Sequence, residues 1–572
     1  MNQSKEKPIQ EHAIISIETW QINLRRAVQP SRLLAKQMEN KRNTIVLVQE
    51  PYTVGNRVCA KVPGCDLHVG NTKGARPRAC IYTRDIDTWQ LPQFSDNDMT
   101  TIQIKTGADH SPLIIASVYM AHDNSIPSAK LRALTEYCQQ RKIPLLVGSD
   151  CNSHHTAWGS SNINEKGQSL LEFIEEQELD WLNNGNEPTF DTRERKEVLD
   201  ITLVNQWAQR LAGNWRVDPT PTGSDHRYIR FTISEGVAVI RKYRPIRGTD
   251  WKTFLSHIEE NLQKTTTPDL TTPQGVEEEA NLLETIMREG LERACPEKTV
   301  KSKTEITWWT AELEKKRKKK FHLLAKAQRT KAEKDWKIFR EAQADLKKSM
   351  RKTSRDSFRK RMETVETAHE LSRAVKFLQS DTSIQLNAVK DEHGELTESP
   401  KATLDTMLKH HVPETEGQPE DMTNLAPSDT QSESCANQIV TEELMDRAAN
   451  RFDPYKSPGC DGIYPIMIQK ALTTPIRERY CQLFRASLKM GHIPQSWRKA
   501  KGIFIPKPGK STYTDTKSYR MITLTSFQLK WLERLVLWHL DKNPKVQARM
   551  HKRQFGFKAG VSTETALHHL VR

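Results

Sequence analysis

The sequence has no Cys-x-x-Cys pair, and its nine cysteines are an odd number. Both facts argue against a disulfide framework and against a zinc site. No apolar run approaches the roughly 20 residues of a membrane span; the longest are pieces such as 45–48 and 113–120. The opening MNQSKEKPIQ lacks the charged-then-apolar layout of a signal peptide. Hydrophobic residues make up only 36% of 572 positions, thin for one compact body, so part of the length is expected as exposed helix or linker. No internal repeat is present. These absences predict a soluble, intracellular chain of several parts.

What the sequence has is positive charge, 87 Lys+Arg against 72 Asp+Glu, a balance of +15. Such a surplus favours a polyanionic partner. Residues 315–361 alone hold 20 Lys+Arg and 5 Asp+Glu, so this one segment carries the whole imbalance. It lies within 297–393, a stretch free of Gly and Pro and rich in helix formers, which predicts long helix. Trp336, Phe339, Ala342, Leu346 and Met350 recur at spacings of 3, 3, 4 and 4, one apolar face. A solvated helix with a packing stripe is the plain reading. The lopsided charge favours nucleic-acid backbone contact, with Lys318, Lys319 and Lys320 as representative cations.

Composition shifts divide the chain. A Thr/Pro-rich stretch covers 264–275 and an acidic, Pro-containing one 413–434. The predicted parts are an α/β domain over 12–235, a helical basic connector over 236–412, a disordered acidic linker over 413–437, and an α+β segment over 438–572. In the first part, β-rich runs at 13–17, 44–48, 79–83, 100–105, 113–119, 145–148, 198–204 and 228–233 alternate with helical patterns at 31–38, 128–139 and 167–176. That mixture predicts a layered α/β domain with central sheets.

Polar residues sit at the ends of these runs, where a sheet delivers side chains to one rim. They are Asn23, Glu50, Tyr119, Asp150, Asn152, Asp200, and the Ser224-Asp225-His226 tripeptide. Singly, each reads as a cap or turn residue. Together they supply carboxylates for a hard divalent cation, amides for phosphate oxygens, and an Asp–His pair, the parts that phosphodiester hydrolysis needs. The order QIN, VQEP, VYM, GSDCN, LDITL, GSDH resembles the endonuclease/exonuclease/phosphatase superfamily, whose fold is a four-layered α/β sandwich. The stretch SDCNSHHTAWGSSNINEKGQSLLEFI, with NNGNEPTF after it, resembles more narrowly the apurinic-type endonuclease of non-LTR retrotransposons.

That resemblance implies a set of roles. Glu50, with Asn23 and Asp225, would hold Mg²⁺ or Mn²⁺; Asp150 and Asn152 would handle the attacking water and the scissile phosphate. His226, oriented by Asp200, would act as base or charge stabiliser, and Tyr119 would donate to a phosphate oxygen. Gln21 and His122 stand where many members have Asn. Cys151 reads as structural, and the adjacent His154 and His155 lack further partners at zinc-ligand spacing.

Beyond residue 438, KSPGCDGI, WRKAKGIFIPKPGK, SYRMITLTSFQLKWLERL and QFGFKAGVSTETALHHLV predict a Pro/Gly loop, two short strands joined through a basic loop, and a helix from Ser526. Lys507 and Arg520 are the candidate phosphate contacts, although a surface turn explains PKPGK alone equally well. These blocks resemble the fingers of a non-LTR reverse transcriptase, with Met521 where the family usually has Pro, and TWWTAELEKKRKK resembles its helical connector. The family's catalytic aspartates lie later than residue 572, so the chain is expected not to polymerise DNA and reads as a truncated copy, fragment or gene model. The resemblance implies nicking of double-stranded DNA in the nucleus, element RNA as a further partner, and no membrane. Two alternatives stay open: an idle nucleic-acid-binding remnant, and another phosphodiesterase of the superfamily acting on lipid or nucleotide.

Overall fold

A computed structural model of the chain describes residues 9–59, 61–70, 74–121, 127–192, 194–299, 308–367, 370–371, 386, 388–413, 429–507, 510, 512–551, 553–556 and 560–571. His122 lies outside them. The amino-terminal elements are β1 (Ile9–Asn23), α1 (Val28–Gln37), β2 (Thr44–Gln49), β3 (Asp66–Val69), β4 (Ala79–Arg84), β5 (Thr88–Gln90), β6 (Met99–Thr106) and β7 (Ser111–Tyr119). Then come α2 (Ala129–Arg141), β8 (Leu145–Asp150), α3 (Glu165–Glu176), β9 (Leu179–Trp181), β10 (Asp200–Asn205), β11 (Ala212–Asp218) and β12 (Tyr228–Tyr243).

Hydrogen bonding runs in the order β9-β10-β8-β7-β6-β12-β1-β2-β4-β3, with β5 on β6 and β11 on β12. β6 and β12 meet at a single pair, Thr106 and Gly236, so the path has two halves. Strand periodicity shows how they stack. Ile45 and Leu47 of β2 share one cluster with Leu113, Ile115 and Leu146 of the other half. Val46 and Val48 face outward onto Leu34, Ala35 and Met38 on α1 and just beyond it. Ile114, Ala116, Leu145 and Val147 face outward onto Leu131, Leu134, Leu170 and Phe173 of α2 and α3. Alternation of period two therefore builds four layers, helix, sheet, sheet, helix. The strands read from sequence are those that form this core; β3, β5, β9 and β11 lie outside those runs.

The remaining elements are α4 (Trp251–Lys264), α5 (Pro273–Ala294), α6 (Ala311–Thr330), α7 (Glu333–Glu363), α8 (Pro400–His411), α9 (Asp429–Ile439), α10 (Glu442–Ala449), α11 (Pro465–Ala471), α12 (Ile476–Met490), β13 (Lys501–Pro506), β14 (Tyr519–Leu524) and α13 (Phe527–Lys542). The helix expected in the basic stretch forms, as a hairpin of two helices of 20 and 31 residues. Lys331 adopts a left-handed φ of 54° and its N–H closes on the Ala327 carbonyl at 2.9 Å. No Gly or Pro marks this turn; burying Leu346 and Met350 of α7 against Leu313 of α6 outweighs helical continuity. The predicted apolar stripe is the face that packs.

The linker expectation changes as well. α9 occupies the end of 413–437, seating Ala436 at 3% exposure and Ile439 at 7%, with Val440 just beyond it fully buried. Residues 414–428 lie outside the described set. α4 and α5, inside the stretch read as connector, share one hydrophobic core with α10–α13. Arg479 of α12 seals it, donating from Nε to Glu279 of α5 at 2.6 Å and contacting the same carboxylate through Nη2.

Candidate active site

Parallel pairing of β1 with β2 sets Asn23 opposite Gln49, and parallel pairing of β7 with β8 sets Tyr119 opposite Asp150. Antiparallel pairing then sets Asp150 opposite Asp200. One rim of the stacked sheets therefore collects the candidates. The sheets approach closely there because Gly148 has no side chain: a Cβ would stand 2.5 Å from Leu47 Cδ1 and 2.8 Å from Gln21 Oε1. Gln21 spans the gap, donating to the Ser149 carbonyl at 3.0 Å and accepting from Thr202 Oγ1 at 2.9 Å. Gln49 likewise reaches Ser117 Oγ and the Gly148 carbonyl, both at 3.1 Å. The extra methylene of Gln21 is used structurally.

At the rim, His226 Nδ1 lies 2.8 Å from Asp200 Oδ2, and its Nε2 lies 3.9 Å from Asp150 Oδ2. Asn23 Nδ2 donates to that same Asp150 oxygen at 2.6 Å. Asp150, Asp200 and His226 are 1%, 2% and 6% exposed. Burial alone would lower the imidazole pKa, but the Asp200 carboxylate beside it prevails and holds it raised to about 9. Burial, reinforced by Asp200 and opposed by His226, pushes the Asp150 carboxyl above its ordinary range. A ring flanked by two buried carboxylates is protonated at neutral pH. Asp200 keeps its place because Thr189 Oγ1 accepts from the Leu199 and Asp200 N–H groups, each at 3.0 Å. Phe190 pairs with His226 as a β-bridge, its ring 5.1 Å away edge-on.

Asn152 holds a left-handed φ of 47°, with Nδ2 donating to the Met120 carbonyl at 2.9 Å. Such backbone strain persists where surrounding structure enforces it. Tyr119, half-buried, has its hydroxyl pKa raised to about 12 by burial and then by Glu50 and Asp150. Glu50, also left-handed at 46°, pairs with Arg26 at 2.9 Å, and Asp225 pairs with Arg25. Among the described residues, Asp150, Asp200 and His226 have ligand-type atoms within 4.8 Å of one another, a group that could hold a metal ion.

Residues 113–230, which hold Tyr119, Asp150, Asn152, Asp200, Asp225 and His226, match the family model described as endonuclease-reverse transcriptase. By that description, the match is to an endonuclease-type domain. Over nearly the whole chain the similarity is to transposon proteins. The probable RNA-directed DNA polymerase from transposon BS of Drosophila melanogaster is 24% identical over 531 residues, 89% of this chain and 55% of the relative. The retrovirus-related Pol polyprotein from type-1 retrotransposable element R1 of Bradysia coprophila is 23% identical over 455 residues, 74% and 44% of the two. The chain spans about half the length of the curated relatives it matches. Among solved structures, the endonuclease domain of TRAS1, a telomere-specific non-LTR retrotransposon, aligns at 27% identity and TM-score 0.34, covering 38% of this chain and 98% of that one. AP endonuclease LMAP from Leishmania major aligns at 12% identity and TM-score 0.33, covering 38% and 88%.

The other predicted contacts lie elsewhere. Lys318 and Lys319 are exposed on α6, but Lys320 is 2% exposed, and burial lowers its pKa to about 8. Its ammonium sits over Phe321 and Phe339 at 5.0 and 5.8 Å, so it serves the hairpin's packing and is removed from the exposed cations. Arg520 is exposed on β14, while Lys507 Nζ donates to the Lys517 carbonyl at 2.9 Å. His154 contacts Arg195 and Glu197, and His155 Nδ1 accepts from Ala157 N–H at 3.0 Å. Cys151 is fully buried, with its Sγ 2.9 Å from the Leu199 carbonyl. Sequence reading missed Arg25, Arg26, Thr189 and Phe190. Only NNGNEPTF, which contains the last two, offered a signal.

Proposed function

We propose that the amino-terminal domain is a metal-dependent endonuclease that nicks duplex DNA and leaves a 3′-hydroxyl, which an RNA-directed DNA polymerase could extend as a primer. The observation that carries this is the Asp200–His226–Asp150 chain at one rim. Asp200 holds the ring by Nδ1 and keeps it protonated, so Nε2 presents positive charge to a phosphate oxygen. Asp150, positioned by Asn23, accepts a proton from the attacking water, with Asn152 beside it. Tyr119 donates to the phosphate.

Glu50, Asn23 and Asp225 supply hard oxygen donors that suit Mg²⁺ or Mn²⁺. Those residues would hold the cation, which would supply neutralisation of phosphate charge. The protonated His226 is a poor ligand, which favours this placement over the Asp150, Asp200 and His226 group itself. Lys507 and Arg520 are read as phosphate contacts of the carboxy-terminal segment. Element RNA is its proposed partner, and the nucleus is the proposed site of action.

The full chain incubated with supercoiled plasmid and Mg²⁺ is expected to yield relaxed circles, and EDTA or His226→Ala is expected to abolish them. An inactive wild type, or equal nicking by His226→Ala, would overturn the reading. DNA binding without cleavage would identify an idle remnant instead.

A further inference from the structure

We propose that the α6–α7 hairpin is a fixed arm of the endonuclease domain that carries the duplex flanking the cleaved strand. This rests on the reading of that domain as a DNA nuclease. The joint is built by adjacent tryptophans just before α6. Trp308 and Trp309 pack against the cluster under α1 and, on their other side, against Leu313, Leu346 and Met350 of the hairpin. Arg32 of α1 lies over the Trp308 ring at 5.1 Å and Lys36 over Trp309 at 5.7 Å. Arg32 Nη2 also donates to Ser354 of α7 at 3.3 Å.

The helix that carries the joint stands beside the rim: a Cβ on Gly223, three residues before His226, would lie 2.9 Å from Leu33 Cδ1 of α1. Arg32 is within electrostatic reach of Tyr52, two residues past Glu50, and of Arg351 on α7. Tyr228, two residues past His226, is within reach of Arg317 on α6. Arg32 is half-buried and Arg351 exposed; their like charges oppose one another, and a polyanion laid across them relieves that repulsion. Beyond the joint, α7 presents exposed Arg351, Lys352, Arg355, Arg359 and Lys360 within ten residues. At 31 residues α7 spans roughly 46 Å, the length of about 14 base pairs. Among the described residues, the apolar clusters holding the hairpin contain endonuclease-domain side chains and none from the carboxy-terminal body. That attachment favours target duplex over RNA.

The test measures binding by the full chain in EDTA, by fluorescence anisotropy across a salt series. Probes are duplexes of about 8 and about 30 base pairs and a single-stranded RNA of the longer length. The long duplex should bind at least about ten-fold more tightly than the short one. R351E/R355E/R359E should lose most of that gain, with the salt slope shallower by about 3, while short-duplex affinity stays within about two-fold. W308A/W309A should lose the same gain with every arm cation retained; if its melting temperature shows misfolding, the charge variant alone decides. Unchanged long-duplex binding by the charge variant, or a loss confined to RNA, overturns the arm. Because no cleavage is read, a chain that binds this way but never nicks defeats only the nuclease reading.

Discussion

His226 sits between two carboxylates at unequal distances, 2.8 Å to Asp200 and 3.9 Å to Asp150, and the nearer one sets its charge. Its pKa is raised to about 9, so the stabilisation from the charged ring is complete below the unfolded value near 6.5 and is lost as pH rises through 9. Nicking should therefore decline on an alkaline limb near that value. Asp200→Asn removes the charge while keeping the shape. It should cut the nicking rate by about 10²–10⁴-fold and move the alkaline limb to lower pH. An Asp200→Asn pH profile that overlays the wild type would sink this assignment. Gly148 is a second single-residue test. Its absent side chain lets the two sheets meet under Asp150, and Gly148→Ala should lower stability by about 1–3 kcal/mol, seen as a reduced Tm.

Among elements, the sharpest dependence is between α5 and α12. Glu279 is fully buried and faces a guanidinium that also donates to Thr265 Oγ1 at 3.0 Å. Removing one partner strands a buried charge, so Glu279→Leu should cost roughly 3–5 kcal/mol in chemical denaturation. The double change E279L/R479M should recover most of that loss. Two single variants and a double that simply add would show that the pair is not coupled. The hairpin of α6 and α7 makes the complementary point. Its helices were legible from composition and its packing face from spacing, but its turn at Lys331 was not, because nothing in KAEKD breaks a helix by local preference. Only two apolar faces meeting across that turn select it.

For the whole molecule, α4, α5 and α10–α13 share one core, which predicts that the connector and the carboxy-terminal segment depend on each other for stability. A chain ended after residue 412 would leave Val276, Leu283, Met287 and Leu291 without their partners, and it should bind a hydrophobic dye and self-associate on size exclusion. A monomeric, dye-negative fragment would contradict this. Among the described residues, no helix is long and apolar enough to cross a membrane.

The sequence by itself was enough for the strands of the α/β core, their period-two alternation and the chemistry-bearing residues at their ends. Those are local properties: a side chain's residue type and its distance along a strand do not depend on what packs above it. The superfamily resemblance brought Asn23, Glu50, Asp150, Asp200 and His226 into one expectation, and strand register places Asn23, Asp150 and Asp200 at one rim. Tertiary structure decided what sequence spacing cannot express. It set which nitrogen of His226 faces which carboxylate and why Gln21 serves between the sheets. It also buried Lys320 while leaving Lys318 exposed, and it joined α5 to α12 across 200 residues of chain. Each is a contact between residues distant in sequence, chosen by burial and charge balance over the whole fold.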